Sequence, residues 1–384
     1  MKKNNFSPLI FLMSLGAGGI AIIPFAFLQY TFEHGKGLVK ITDIAYSTLP
    51  MAQQVLFRSL EGVMILFSGL HIILTLLLIA GLVKFVRSDN YKEYIKDPLK
   101  NIGILAPFIS FVMTMNVMIG PIRYFSPWMA SNLQMFMLPA LLVWGLIWLL
   151  LIRMEIKLLK IAFTNDFDVD KISFGWLLHP FALGMLTVTG TGIAAMAQNP
   201  DIAHTAAFMS FVSGSMGLFL LLVKMIAIFK SHYKQKGLPA KQFMPSFLIV
   251  IPNITLYAIS AFRIGHYLEN QFAFHLGAYF LIVMTMAFAF ETWYLLFGLA
   301  LLKDYIKNDF FRKEFYVSQW GFVCPVVAYA VLGSFVFSVF VPSILLYAVV
   351  IATLITAVLL FFILLKKQCA CSGILNSKDM KCLS

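Results

Sequence analysis

A short run of threonines and glycines within a strongly apolar stretch could carry transport chemistry. Thr187, Thr189 and Thr191 alternate with Gly190 and Gly192. Threonine hydroxyls can donate hydrogen bonds to a passing anion without holding it tightly, which conduction requires. They can equally bond to carbonyls of their own helix. We favour a pore-lining role for Thr187 and Thr191, because Gly190 and Gly192 leave space beside them.

Two arginines could attract anions to the same path. Arg123 and Arg263 each lie near the end of a long apolar run. A charge at the centre of a bilayer costs at least about 2.5–3.5 kcal/mol, so it normally faces a cavity or a partner. Either the two arginines attract anions at the outer mouth of a pore, or they snorkel or pair with an acid. The second interpretation is favoured for Arg123. Asn253 and Thr255, next to Pro252, are further candidate pore residues.

Several other ionisable residues lie in apolar runs. Glu291 could relay protons, although we favour a structural hydrogen bond to neighbouring polar groups. Arg58 and Glu61 are three residues apart and share a helix face, which predicts a structural pair. His71 and His179 would lie at only loosely matched depths, and two axial histidines at matched depth are what a haem between helices needs.

The cysteines and the known enzyme motifs give little support to an enzyme. Cys369 and Cys371 are a poor metal signal, because no second pair follows at zinc spacing. We expect a reduced, solvated tail around them. The sequence contains no phosphate-binding glycine loop, dinucleotide fingerprint or hydrolase nucleophile motif. We therefore predict that the chain is not an enzyme and that it needs no metal or cofactor.

The elements that must position these groups are membrane-spanning helices. Of 384 residues, 60% are hydrophobic and 12% are charged, whereas soluble domains are about half apolar and about a quarter charged. A span needs about 20 mostly apolar residues. We identify ten: 8–30, 56–83, 102–122, 133–152, 172–197, 203–229, 244–266, 275–302, 319–341 and 343–365. This predicts an all-α membrane protein with one transmembrane domain, 1–366, and a cytoplasmic tail, 367–384.

The distribution of basic residues predicts the orientation. Of 29 lysines and arginines, only Lys36, Lys40, Arg58, Arg123 and Arg263 fall outside the termini and the segments around the loops that follow even-numbered spans. Cytoplasmic loops collect such residues. Both termini are therefore predicted to lie in the cytoplasm, with the protein in the inner or plasma membrane. The net charge of +12 has the same explanation, and it does not call for a nucleic-acid partner.

Each odd-numbered span contains a proline. These are Pro24, Pro107, Pro180, Pro252 and Pro325. Proline removes a helical hydrogen bond at a cost of about 3 kcal/mol, and a spanning helix tolerates it where neighbours or cavity water satisfy the freed group. We therefore predict five helical hairpins, with kinked odd helices forming an inner ring around a central pore. The alternative is that Gly and Pro are simply commoner in membrane helices.

Several short motifs follow one another along the chain. They are Asp97-Pro98 with Ala106-Pro107; Trp176, Pro180 and Gly184; Leu238-Pro239, Met244-Pro245-Ser246 and Ile251-Pro252-Asn253; and Trp320-Gly321-Phe322-Val323-Cys324-Pro325. Their order and spacing resemble the tellurite-resistance/dicarboxylate transporter family, which includes plant slow-type anion channels and fungal sulfite exporters. The resemblance implies a five-hairpin pore fold, usually a homotrimer, that passes anions without a cofactor.

The sequence departs from that family at the gate. Members usually close the pore with a phenylalanine just before the proline of the ninth helix, and this chain has Cys324 there. Phe322 lies two residues earlier, which places it about 200° away around a helix. Phe322 and Cys324 are both gate candidates. Either another aromatic residue closes this pore, or the pore is less occluded.

The combined pattern favours an anion channel or exporter. A largely uncharged pore with hydroxyl groups suits weakly held small anions such as sulfite or tellurite, and C4-dicarboxylates are the other substrate class that the resemblance implies. The competing hypothesis is a quinone- or haem-binding membrane subunit of an oxidoreductase, which could also contain intramembrane Glu and His. A third, weaker alternative is an accessory membrane protein without transport.

Overall fold

The computed structural model describes residues 6–35, 37–168, 171–234, 238–312, 314–371 and 381–383. Within that part of the chain, ten helices are long and apolar enough to cross a membrane. They are α1 (Pro8–Thr31), α2 (Met51–Val86), α3 (Asn101–Phe125), α4 (Leu133–Thr164), α5 (Phe174–Met196), α6 (Pro200–Lys234), α7 (Lys241–Phe272), α8 (Gly277–Phe310), α9 (Val317–Phe340) and α10 (Ile344–Cys371). The predicted all-α membrane fold is confirmed. Lys36 lies outside the described residues.

The even-numbered helices are longer than the sequence indicated. α4, α6 and α8 each continue for several residues beyond the predicted ends of their spans. Lys224 lies inside the predicted sixth span, 203–229, although the orientation argument groups it with the basic residues around the following loop; in the structure it is 7% exposed within α6. An apolar run predicts only the part of a helix that hydrocarbon can surround, and a helix can continue beyond that part.

The odd-numbered helices lie at the centre of the molecule. In the most apolar stretch of each helix, the buried share is 56–100% for odd helices and 17–39% for even ones. α1 packs against α3, α3 against α5, α5 against α7, α7 against α9, and α9 against α1. Each even helix packs against the odd helix that precedes it. Five odd helices thus close a ring, and the even helices surround it with exposed apolar side chains.

Four of the prolines mark a change of helix type. Pro107, Pro180, Pro252 and Pro325 are each the third residue of the α-helical part of their span, and that part follows a 3₁₀-helical turn. Proline lacks an N–H and its ring clashes with the carbonyl four residues earlier, which accounts for the different bonding before it. Pro24 differs, because it lies well inside the α-helical part of α1.

Gly190 allows α5 to approach α4 closely. A Cβ at this position would overlap the Trp144 ring and the Ser210 hydroxyl. Trp144 is fully buried, and its Nε1 donates to the Leu186 carbonyl at 2.9 Å. The indole therefore has little freedom to move aside.

We expect Gly190→Ala to reduce the free energy of unfolding by about 1–3 kcal/mol, as overpacking of a tight core does. The measurement is the melting temperature of the purified protein in detergent. Gly69→Ala is the matched control, because no atom lies within 4 Å of the added Cβ. Equal melting temperatures for the two variants would contradict this account of the α4–α5 contact.

The end of the chain is tied back to the segment after α8. There, β1 (Glu314–Tyr316) pairs in parallel with β2 (Lys381–Leu383). A disulfide joins Cys371 to Cys382, whose Cα atoms are 5.7 Å apart, within the range that a disulfide spans. The expectation of a reduced tail is therefore corrected. Strand pairing brings together two cysteines whose proximity the sequence spacing did not reveal. Residues 372–380 of the predicted tail lie outside the described residues.

Candidate functional site

A cavity of about 1120 Å³ lies inside the ring of odd helices, and all five contribute to its wall. One end reaches exposed residues in or near the loops that follow odd helices, which are Gly35, Ser131, Gln134, Gln198 and Asn270. The cavity therefore opens to solvent on the side opposite the basic segments. Cavities of this size readily hold water and small solutes.

At the opposite end, which we call the closed end, the lining residues are buried. They include Leu15 of α1, Phe181 of α5, Pro252 of α7 and Cys324 of α9. Phe181 is 3% exposed and directly follows Pro180. The other lining aromatic residues, which are Phe25, Tyr30, Phe262 and Phe335, come from parts of their helices nearer the open end. Phe181 thus supplies the aromatic ring at the closed end, and the sequence analysis did not identify it.

Arg263 places a positive charge on the cavity wall. Its Nη1 donates to the Val188 carbonyl at 2.6 Å, and this neutral acceptor leaves the charge uncompensated. Among the described residues, no Asp or Glu forms an ion pair with Arg263. Gly192 lies against the guanidinium, so the space that this glycine leaves is partly filled by Arg263.

Arg123 also lines the cavity, but it is tied into the structure. It is 2% exposed. Nε donates to the Ile119 carbonyl at 2.9 Å, and Nη2 donates to the Val39 carbonyl at 2.5 Å. These bonds anchor the loop after α1 to the end of α3. Both acceptors are backbone carbonyls, so these bonds are neither the snorkelling nor the acid pair that the sequence favoured for Arg123.

The hydroxyls of Thr187 and Thr191 lie away from the cavity. Thr187 Oγ1 is 2.7 Å from the Leu183 carbonyl and 2.9 Å from Ser213 Oγ of α6. Thr191 donates to the Val188 carbonyl at 3.0 Å. Residues two apart are about 200° apart around a helix, so Thr189, between them, faces the opposite way.

Thr189 lines the cavity together with Asn116 of α3. Asn116 Nδ2 donates to Thr189 Oγ1 at 2.9 Å, which links α3 to α5 at the wall. Thr255 of α7 provides a second hydroxyl. The sequence analysis missed Asn116, although a lone amide in an apolar run is a usable signal.

The remaining predicted site residues divide into two groups. Gly192, Pro252 and Cys324 line the cavity. Within the described chain, the residues that do not line it are Pro24, Pro107, Pro180, Pro325, Gly190, Asn253 and Phe322.

Asn253 and Phe322 have contacts that hold their side chains away from the cavity. Asn253 Nδ2 donates to the Ile249 carbonyl at 2.9 Å. The Phe322 ring packs against Tyr305 and Phe310, with centroids 6.0 and 5.7 Å apart. Phe322 thus faces outwards, away from the cavity.

The buried histidines His71 and His179 contact other protein groups. His71 has one ring nitrogen 2.7 Å from the Ser14 carbonyl and the other 2.9 Å from Thr114 Oγ1, so neither is free to ligate a metal. His179 Nδ1 is 2.5 Å from Glu155 Oε2. These contacts give no support to the oxidoreductase hypothesis.

Two further clusters hold buried charges between helices. Lys224 Nζ lies 4.4 Å from the centre of the Trp176 ring. Glu61 is 3.3 Å from Arg58 and accepts a hydrogen bond from the Tyr124 hydroxyl at 2.7 Å. The predicted Arg58–Glu61 pair is thus present within α2, and the Tyr124–Glu61 hydrogen bond joins α2 to α3.

The sequence of the chain was also compared with known protein families. The family model described as SLAC1, voltage-dependent anion channel, matches residues 5–366. The match begins before α1 and ends within α10, so it includes every helix that lines the cavity. No curated protein matches the chain.

Proposed function

Since the chain belongs to the voltage-dependent anion channel family, as its motifs predicted, we propose that it exports small oxyanions such as sulfite or tellurite through the central cavity. C4-dicarboxylates are the second candidate substrate class. The observation that carries the proposal is the cavity within the odd helices, whose wall bears the uncompensated charge of Arg263. A positively charged cavity wall attracts anions and repels cations.

The direction of transport follows from the orientation proposed from the basic residues. Lysines and arginines on the cytoplasmic side raise the local concentration of anions at the inner mouth. A negative-inside potential is worth about 2.3 kcal/mol per charge per 100 mV. An open path would therefore drain anions outward without ATP, and the open end of the cavity would face the exterior.

The cavity wall suits brief rather than tight binding. Thr189, Asn116 and Thr255 are neutral polar groups that already bond to other protein atoms. Only part of their hydrogen-bonding capacity remains for a passing anion. Weak binding of this kind is what conduction requires. The closed end at Phe181 would act as the gate. The homotrimer implied by the family resemblance belongs to the same proposal.

The test is anion flux in proteoliposomes under an imposed potassium diffusion potential. We expect sulfite and nitrate to move towards the positive side, and the flux to reverse when the potential is reversed. Flux that ignores the sign of the potential would contradict passive conduction. Comparison of sulfite, nitrate and a C4-dicarboxylate in the same vesicles would distinguish the two substrate classes.

A further inference from the structure

Glu291 is a fully buried carboxyl group in the middle of α8. Its Oε1 lies 2.5 Å from Thr255 Oγ1 of α7. Its Oε2 is buried and has no hydrogen-bond partner among the described residues. A structural carboxylate normally has hydrogen bonds to both oxygens. A purely structural role would therefore leave Oε2 without an explanation.

Thr255 connects this carboxyl group to the cavity, because it lines the wall. Its single hydroxyl proton has two acceptors within reach. They are the Ile251 carbonyl at 3.2 Å and Glu291 Oε1 at 2.5 Å. When Glu291 is ionised, Thr255 donates to it. When Glu291 is protonated, Glu291 donates to Thr255, and Thr255 can donate to Ile251. Both charge states are therefore accommodated with little movement.

The surroundings of Glu291 provide no compensating charge. From α9, the titratable group that faces it is the Tyr329 phenol, which lies 3.0 Å from Thr292 Oγ1. From α7 the facing group is Thr255, and the first residues of α7 contribute the Phe247 carbonyl, which bonds to Tyr294. No Lys, Arg or His within the described chain forms an ion pair with Glu291. A buried charge without a partner is costly.

We propose that Glu291 and Thr255 form a proton-binding site on the cavity wall, and that anion passage is linked to proton binding there. This deepens the proposed function and rests on it. An anion beside Thr255 disfavours a carboxylate directly behind it, so anion entry favours protonation of Glu291. The reverse also holds, because linkage between two binding events is reciprocal.

The proton step balances without any other reactant. A hydronium ion in the cavity gives a proton to Thr255 Oγ1, while Thr255 passes its own hydroxyl proton to Glu291 Oε1. One water molecule, an intact threonine hydroxyl and a neutral carboxylic acid result. No carbon–oxygen bond changes, and no oxidant or reductant takes part.

The test uses the full chain in proteoliposomes with chloride or nitrate as the anion, at one imposed potential and at pH values from 8 to 6. These strong-acid anions do not titrate, so a change of flux with pH reports protonation of the protein. We expect the flux to increase several-fold from pH 8 to pH 6. In Glu291→Gln, the flux should become independent of pH.

Variants of Thr255 test the connection without altering the carboxyl group. Thr255→Val should lose the pH dependence, as Glu291→Gln does, whereas Thr255→Ser should retain it. Thr187→Val is the matched control, because that hydroxyl faces Ser213 of α6, and it should keep the wild-type pH dependence.

Two results would overturn the proposal in distinguishable ways. Anion flux that does not change with pH, or whose pH dependence survives in both Glu291→Gln and Thr255→Val, would remove the proton site and leave the proposed anion pathway standing. Absence of chloride, nitrate and sulfite flux in the wild-type protein would reject the anion pathway itself, and the proton site with it.

Discussion

Phe181→Ala should raise anion conductance by about tenfold or more. The Phe181 ring lies at the closed end of the cavity, and an apolar constriction in a pore excludes water and ions. Removing about 1.4 kcal/mol from a barrier increases a rate tenfold, and a desolvation barrier for an anion can easily exceed that amount. The measurement is single-channel or macroscopic conductance in a planar bilayer.

Phe322→Ala is the control for the Phe181 variant. Phe322 was a gate candidate from the sequence, but its ring packs against Tyr305 and Phe310 outside the cavity. We expect its conductance to stay at the wild-type level. Phe181→Leu should give an intermediate value, since it keeps an apolar but smaller side chain. If Phe322→Ala opened the pathway and Phe181→Ala did not, the closed end would have been assigned to the wrong residue.

Arg263→Ala should lower anion conductance by about tenfold and shift the reversal potential towards that of an unselective pore. At 4 Å, a unit charge contributes about 4 kcal/mol at an effective dielectric constant of 20, so even a screened fraction of that attraction is worth an order of magnitude. Arg263→Lys should retain most of the selectivity, because the charge remains. The measurement is the reversal potential in a salt gradient.

Arg58→Gln provides a matched loss of positive charge away from the cavity. Arg58 pairs with Glu61 and does not contribute to the described cavity wall. Its reversal potential should equal that of the wild-type protein. An unchanged reversal potential in Arg263→Ala would remove this residue from the anion pathway. Equal shifts in both variants would show that only the overall charge of the protein matters.

The sequence was most informative where one physical constraint acts on many residues together. Hydrocarbon excludes unsatisfied backbone groups, so long apolar runs must be helices, and ten such runs predicted ten spans. A separate rule, the excess of Lys and Arg in cytoplasmic loops, predicted the orientation. Prolines at Pro107, Pro180, Pro252 and Pro325 singled out the odd helices, and these helices form the central ring.

Residue-level assignments depended on helix rotation, which composition does not determine. Thr187 and Thr191 face α6 or their own helix, whereas Thr189 faces the cavity. All three have similar chemistry and near-identical neighbours in the sequence. Each step of one residue turns a side chain by about 100°, so an uncertainty of one or two residues reverses the predicted face.

The sequence alone determined that the chain lies in a lipid bilayer, how many helices cross it, which family it belongs to and the predicted sign of the transported ion. It could do so because apolar length, charge distribution and motif order are local or additive properties. Only the tertiary structure decided which aromatic ring lies at the closed end of the cavity, which arginine keeps an uncompensated charge, and which hydroxyl touches Glu291. Phe181, Arg263 and Thr255 acquire these roles from neighbours on other helices, and packing between helices distant in sequence determines those contacts.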